Sequence, residues 1–346
     1  MILKIKRHIT VDFFNSISVN LRYDSIASTF GFDFYFDPQN DGHRKAFNPG
    51  HFHTVDIVQD NEILLRGALL SPSFSSQANK QLSSFAGYSL AGVLEDCEIP
   101  TSLYPLQSDG KTLKEIIEAI IKPFGIGLVI DSSVANKADQ VYDISTADEG
   151  ASVKDYIASL ASQKNIILSH TPLGNLLLTS AKTNLRSLFT FTKTTQSVLD
   201  MQLGFDGQKL HSSITAQKQA SIEDDNAGEG VVKNPFVPYT FRPKVQTQNS
   251  GDDNDSSLAA RNLLSAELKG IKLSITLNTW YLNGQLIKPN NTIIVENDEL
   301  FLFKPVKWFI ESVTLTQNES TNSAVLNCVL PQVYDGKTPV NIFELH

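Results

Sequence analysis

The sequence predicts an α+β protein that is mainly β, with two all-β segments and one small α/β segment inserted between them. Three observations carry this reading. Apolar residues alternate with period two through the first hundred residues, and the period becomes helical from Lys111. After a helix ending at Gly270, only strand patterns remain. At 346 residues the chain is too long for one ordinary core and suits two or three domains.

In the first segment, SISVNLRY places Ile17, Val19, Leu21 and Tyr23 on one face of a strand. STFGFDFYFD does the same with Phe30, Phe32, Phe34 and Phe36. QDNE is the turn between the next two strands, and QANK separates them from QLSSFAGYSL. No strong helical periodicity interrupts this run. In the insertion, Leu113, Ile116, Ile117, Ile120, Ile121 and Phe124 recur at helical spacing. Thr112 is the candidate N-cap and Pro123-Phe124-Gly125 the stop. IGLVID follows as a buried strand, and a second helix carries Val153, Tyr156, Ile157 and Leu160 on one face. IILSHT and LLLTSA then form a hairpin turning at Leu173-Gly174-Asn175.

Strands resume at Leu188. Two acidic stretches, Ser221 to Gly230 and Asn249 to Ser257, flank VVKNPFVPYTFRPKVQTQ, whose three prolines predict loop or linker. In DSSLAARNLLSAELKG, Asp255 or Ser256 caps a helix with Ala260, Leu263, Leu264 and Leu268 on one side. Within TWYLNGQLIKPNNTIIVEND, Asn283-Gly284 signals a two-residue hairpin, because both central positions of a type I′ turn need φ > 0. A long strand, a polar turn and a returning strand occur near the end of both β-segments, around QANK and around NEST. That echo predicts a duplicated barrel.

The formal net charge of −8 and the lack of any long Lys/Arg run argue against specific nucleic-acid binding, which needs a basic face. Acidity does suit a surface past which DNA slides. Cys97 and Cys328, far apart, make neither a disulfide framework nor a zinc spacing and suit a reducing compartment. The first residues lack the apolar core of a signal peptide. No stretch approaches the roughly 18 apolar residues of a membrane helix, so no membrane insertion is expected.

Few residues suggest chemistry. His51 and His53 would share one side of a strand, a geometry zinc uses, with His43 or Asp56 as a third ligand. Exposed histidines at a strand entry are the simpler reading. DDNDSS lacks the glycine and the final glutamate of a calcium loop. Gly125 and Gly127 enter a strand rather than a helix, which is the wrong context for a phosphate loop. Adjacent carboxylates such as Glu95-Asp96 offer no acid and base in distinct environments. No enzyme signature emerges, and no catalytic residue or cofactor is expected. Trp280, Tyr281 and Trp308 are the candidates for a sugar-stacking or interface surface, although neighbours 280 and 281 fall on opposite faces of a strand.

The order of segments resembles that of contractile-tail phage baseplate hub proteins, the phage Mu-type tail proteins of the late control gene D-like family. SISVNLRYDSIASTFGFDFYF, with Asp24 to Ala27, looks like their opening strands, and LRGALLSPSFS with AGYSLAGVLEDCEIP like the following pair. TLKEIIEAIIKPFGIGLVID and the segment through Gly174 to Leu176 resemble the inserted helix–strand units. FRPKVQ, the helix around Ala260-Arg261 and GQLIKPNNTIIVEND match the last part in order, with Ile287 departing from an expected Trp. The resemblance implies two tube-type β-barrel domains, residues 1–104 plus 188–232 and residues 233–346, around an inserted α/β domain, 105–187. It implies a homotrimeric pseudo-sixfold ring joining the tail tube to the central spike. The partners would be the spike, a tube or tube-initiator protein and baseplate wedge proteins, with DNA and tape-measure protein passing through. The expected location is the virion tail baseplate after assembly in the host bacterial cytoplasm. The alternatives are the hub half of a type VI secretion or tailocin spike, or a carbohydrate-binding or peptidoglycan-cleaving tail protein.

Overall fold

The computed structural model describes residues 1–5, 9–11, 14–76, 82–104, 106–142, 146–218, 229–248 and 256–344. The chain is mainly β with small helical parts, and it divides into two compact units. One comprises residues 1–180 and 312–324, the other residues 181–311 and 325–346.

The first unit contains β1 (Ile2–Ile5), β2 (Ile9–Val11), β3 (Ser16–Arg22), β4 (Thr29–Phe34), β5 (Thr54–Gln59), β6 (Glu62–Ser73) and β7 (Ser83–Ser89). They pair antiparallel in the order β3-β4-β7-β6-β5-β1-β2, and residues 312–318 of a later strand pair with β3. The predicted alternation holds: Ile17, Val19, Leu21 and Tyr23 are buried, as are Phe30 and Phe32, while Phe34 and Phe36 are only half-buried. Asp60 and Asn61 form the β5–β6 turn with φ of 54° and 64°, as a type I′ hairpin requires. At Gly87 an added Cβ would stand 2.0 Å from the Ala68 carbonyl oxygen and 2.6 Å from the Phe30 ring, so only glycine fits that approach. Two short helices, α1 (Asp41–Ala46) and α2 (Val93–Asp96), correct the all-strand expectation. They are too short to show a period. The Asn40 side chain caps α1 by accepting from the Gly42 and His43 amides.

The α/β part follows with α3 (Leu113–Ile121), β8 (Leu128–Ile130), α4 (Ala135–Ala138), α5 (Val153–Gln163), β9 (Ile167–His170) and β10 (Leu176–Thr179). Thr112 and Glu115 close a capping box on α3, and Gly125 ends its 3-10 extension with φ 67°. The sheet order is β8-β10-β9, with β8 parallel to β10. β8 is an edge strand with Val129 exposed, which corrects its expected full burial. One aliphatic core joins both helices to this sheet, and it includes Ile26, Ala91, Leu94 and Ile99. The packing of the insertion therefore begins before residue 105.

The second unit contains β11 (Thr190–Thr192), β12 (Val198–Phe205), β13 (Ser213–Lys218), β14 (Glu229–Lys233), β15 (Pro243–Gln248), α6 (Ser256–Leu268), β16 (Ile271–Leu277), β17 (Tyr281–Leu282), β18 (Gln285–Leu286), β19 (Asn291–Asn297), β20 (Leu302–Asn318), β21 (Asn322–Val329) and α7 (Gln332–Asp335). The division between units falls inside β20 and β21. Strands run β12-β16-β21-β20, and β19 and β11 continue from β20. Residues 188–232, placed with the first β-domain from the sequence, thus lie in the second unit, because β11 and β12 pair with β19 and β16. Among the described residues, no strand ladder closes either sheet on itself.

β13, in a stretch expected to be strand, is the centre of a separate three-stranded sheet, β14-β13-β15, whose two outer strands fall in the region expected to be loop or linker. The prolines agree with the principle behind that expectation: Pro243 starts an edge strand, and Pro235 and Pro238 lie in the loop before it. Residues 221–228 and 249–255 of the acidic stretches, with the Asp255 cap, fall outside the described residues, whereas Glu229 and Gly230 open β14 and Ser256, the alternative cap, is the first residue of α6.

Candidate assembly surfaces

The predicted hairpin is present. Tyr281 pairs with Leu286 and Leu282 with Gln285, and Asn283 and Gly284 turn with φ of 49° and 75°. The Asn283 amide also donates to the Leu188 carbonyl at 2.9 Å. The aromatics around it are corrected. Trp280 is 3% and Trp308 0% exposed, so both serve the core rather than an interface or a sugar platform. Trp308 lies on the inward face of β20, aligned to the buried Ile293, and Trp280 is buried in the bend just before β17. Only Tyr281 is half-buried.

His51 is exposed and His53 buried, with ring centroids 5.3 Å apart. The His53 Nε2 lies 2.9 Å from the Lys45 carbonyl oxygen. His43 is used elsewhere, its Nδ1 accepting from the Asp37 amide at 3.1 Å, and Asp56 forms a bidentate pair with Arg66. Among the described residues, no three metal-ligating side chains converge.

A buried polar relay stands in the α/β part. Ser28 Oγ accepts from the Arg22 amide and lies 2.6 Å from His170 Nε2, while His170 Nδ1 faces the Thr171 carbonyl at 3.1 Å. With Nδ1 protonated, Nε2 accepts the Ser28 hydroxyl proton. This resembles a nucleophile–base pair, but Ser28 is fully buried and no substrate can reach it. Burial holds the His170 pKa below its usual value, so the ring is neutral.

The small sheet is built differently. Its inner face carries the buried Ile214 and Ala216, packed toward Ala260 and Leu264 of α6. Glu267 of α6, itself buried, accepts from the His211 amide at 3.0 Å, from His211 Nδ1 at 2.7 Å and from Lys244 Nζ at 3.1 Å. The outer face is open. Val231, Thr215 and Val245 lie in register across it, and the two valines are 58% and 60% exposed. Beside it the loop from Asn234 to Arg242 holds Tyr239 and Phe241 at 99% and 87% exposure. The base of this loop is firmly held. Arg242 donates to the Gly207 and Gln208 carbonyls, Ser212 and Arg242 exchange backbone and side-chain bonds, and Asn234 donates to Ser212. The sequence reading missed these aromatics; their position between Pro238 and Pro243, which excludes a central strand, was the available signal.

The larger sheets also leave edges. β2 ends the strand order of the first unit, and β12 ends that of the second with Leu199 and Phe205 exposed. Phe205 belongs to an aromatic group in which Phe343 stands 5.8 Å from Phe205, 6.1 Å from Phe236 and 6.3 Å from Phe301. Open edges and exposed rings are what a subunit of a larger assembly presents.

These edges and rings are available for contacts with other chains, and comparison with known proteins shows what the chain is similar to. Residues 91–180 match the family model described as baseplate hub protein gp44-like, second domain. The resemblance to baseplate hub proteins read from the sequence is borne out. The whole chain shares its fold with the 43 kDa tail protein of prophage MuSo2 from Shewanella oneidensis. That match has a TM-score of 0.80 and 17% identity, and covers 96% of this chain and 98% of that one. It likewise matches the tail protein from Neisseria meningitidis MC58, with a TM-score of 0.79, 18% identity, and 96% and 97% coverage. A type VI secretion component of Escherichia coli described as similar to phage T4 tail proteins is more distant, at a TM-score of 0.57 and 11% identity over 98% of this chain and 80% of that one. No curated protein matches in sequence.

Proposed function

We propose that the protein is a structural subunit of a phage baseplate hub, acting through interfaces and a channel rather than through turnover. The observation that carries this reading is the match to the gp44-like hub domain at residues 91–180, set within a chain whose fold matches that of two tail proteins over 96% of its length. In this proposal three copies assemble into a ring. Each contributes two tube-type β modules, so that six similar modules meet a sixfold tail tube on one side and a threefold spike on the other. The exposed edge of β12 and the short edge of β2 are the strands available for pairing between copies, which removes open edges from the assembly. With −8 charges per chain, an acidic channel wall repels DNA and lets it pass without a release step. The spike and neighbouring baseplate proteins are the partners, and the virion baseplate is the location.

Light scattering with negative-stain imaging tests the proposal. A hollow threefold ring is expected, alone or with spike protein. A chain that stays monomeric under both conditions sinks it. The fold likeness to the type VI secretion component favours one second reading, a secretion or tailocin hub, which gene neighbourhood separates from a phage tail.

A further inference from the structure

We infer that the pocket carrying Phe52 and Tyr88, on the outer face of the first unit's sheet, is a binding site for a neutral saccharide. The inference goes beyond the hub reading and holds whether or not the ring forms.

The pocket measures about 690 Å³, and register sets its floor. Ser18 of β3, Gly31 of β4, Ala86 of β7 and Ser71 of β6 stand in one row across four strands, and all are small. The chain's own packing does not demand the glycine, because a Cβ at Gly31 would meet only the Phe85 carbonyl oxygen at 3.6 Å, an ordinary contact. The next row brings Asn20, Thr29 and Tyr88. The Tyr88 ring packs over Gly92, where a Cβ would stand 2.6 Å away, and its hydroxyl donates to Asp96 at 2.5 Å. Burial and that bond raise the phenol's pKa, so it stays protonated as the donor.

Two further observations point to a ligand. Phe52 is 57% exposed with a φ of 45°, in the left-handed region that bulky residues avoid at a cost of about 1–2 kcal/mol. Strain that holds a ring out in water is of the kind kept where a ligand needs it. The Asn20 Oδ1, in turn, is buried without a hydrogen-bond partner, an acceptor waiting for a donor.

The lining selects the class. Asp96 is its one charged residue, so a phosphate or carboxylate would meet repulsion with no cation to answer it. An ammonium group only donates, and pairing it with one exposed carboxylate gains little. A second copy or a partner chain would be held by apolar area, which the floor of Ser18, Gly31, Ala86 and Ser71 lacks. A sugar ring meets every requirement. Its C–H bonds lie against the negative face of an aromatic ring, and its hydroxyls donate to Asn20 and Asp96 while exchanging bonds with Ser18, Thr29 and Ser71.

The test exposes the purified full chain to an array of neutral, sialylated and sulfated oligosaccharides, then titrates the tightest neutral one by calorimetry. Binding confined to neutral glycans is expected. Phe52→Asn removes the ring and places at that φ a residue that tolerates it, so affinity should fall roughly tenfold or more while the melting temperature holds or rises. Asn20→Ala should weaken binding roughly fivefold without lowering the melting temperature, since the acceptor has no partner within the chain. Binding of no neutral glycan, equal binding of the acidic ones, or affinity indifferent to both substitutions overturns the inference. So does a tetralysine peptide that displaces the glycan at lower concentration, which would make this a cation site. Self-association that Phe52→Asn abolishes would give the face to a second copy and overturn it too.

Discussion

The chain builds a three-stranded, helix-backed sheet twice, and the two are held together by opposite means. In the α/β part, β8-β10-β9 packs on α3 and α5 through an aliphatic core in which Leu113, Ile117, Ile120 and Leu178 are fully buried. In the second unit, β14-β13-β15 has a thin apolar interior of Ile214, Ala216, Ala260 and Leu264, supplemented by the Glu267–His211–Lys244 clasp. The α/β part is held by a wide aliphatic core. The small sheet has a narrower one, fixed by polar bonds, and leaves Val231 and Val245 exposed on its outer face.

The largest effect should come from the aliphatic core. Ile117→Ala removes a fully buried side chain from α3 and is expected to cost about 2–5 kcal/mol, visible as a lowered denaturation midpoint. In the small sheet the corresponding lesion is polar. Glu267→Ala strands Lys244 and His211 without their acceptor, and is expected to cost about 2–4 kcal/mol, discounted from a fully buried pair because both side chains are partly exposed. Hydrogen exchange should then rise in β13–β15 while β8–β10 stay protected. Equal loosening of both sheets would erase the contrast between them.

A smaller and pH-dependent effect belongs to the α/β part. The folded pKa of His170 is depressed by burial, against an unfolded value of about 6.5. Its neutral form is the one that accepts from Ser28, so the contribution is complete above about pH 6.5 and is lost as pH falls through the folded value. Chemical denaturation between pH 7.5 and 5 should show stability falling on the acid side, with a shallower slope in His170→Gln. An unchanged slope in that variant would assign the acid sensitivity to other groups.

The contrast between the two sheets also explains what was legible. The α/β part was readable nearly to its caps, because Thr112, Gly125 and the 3.6-residue spacing of Leu113 to Ile121 are local signals with one interpretation. The turns at Asp60-Asn61 and Asn283-Gly284 were readable for the same reason. The small sheet was not, since β13 pairs in parallel with β15 across a long excursion and its strands have one exposed face each. Prolines correctly excluded a central strand there but said nothing against two edges. Trp280 and Trp308 failed differently: ring chemistry suggests a surface role, and only the tertiary packing tells which side of the sheet is inside.

The smallest predicted effect discriminates most finely between the two sheets. Leu178 of β10 is fully buried, whereas Val245 of β15 is mostly in solvent. Val245→Thr keeps the β-branched shape and adds a hydroxyl where water already reaches, so stability should stay within about 0.5 kcal/mol. Leu178→Thr, by contrast, puts a hydroxyl without room for water into the aliphatic core, and is expected to cost about 2 kcal/mol or more. Parallel thermal melts of the two variants give the comparison directly. If Val245→Thr proved as damaging as Leu178→Thr, the outer face of the small sheet would be covered within the chain, and the contrast between the two sheets would fail.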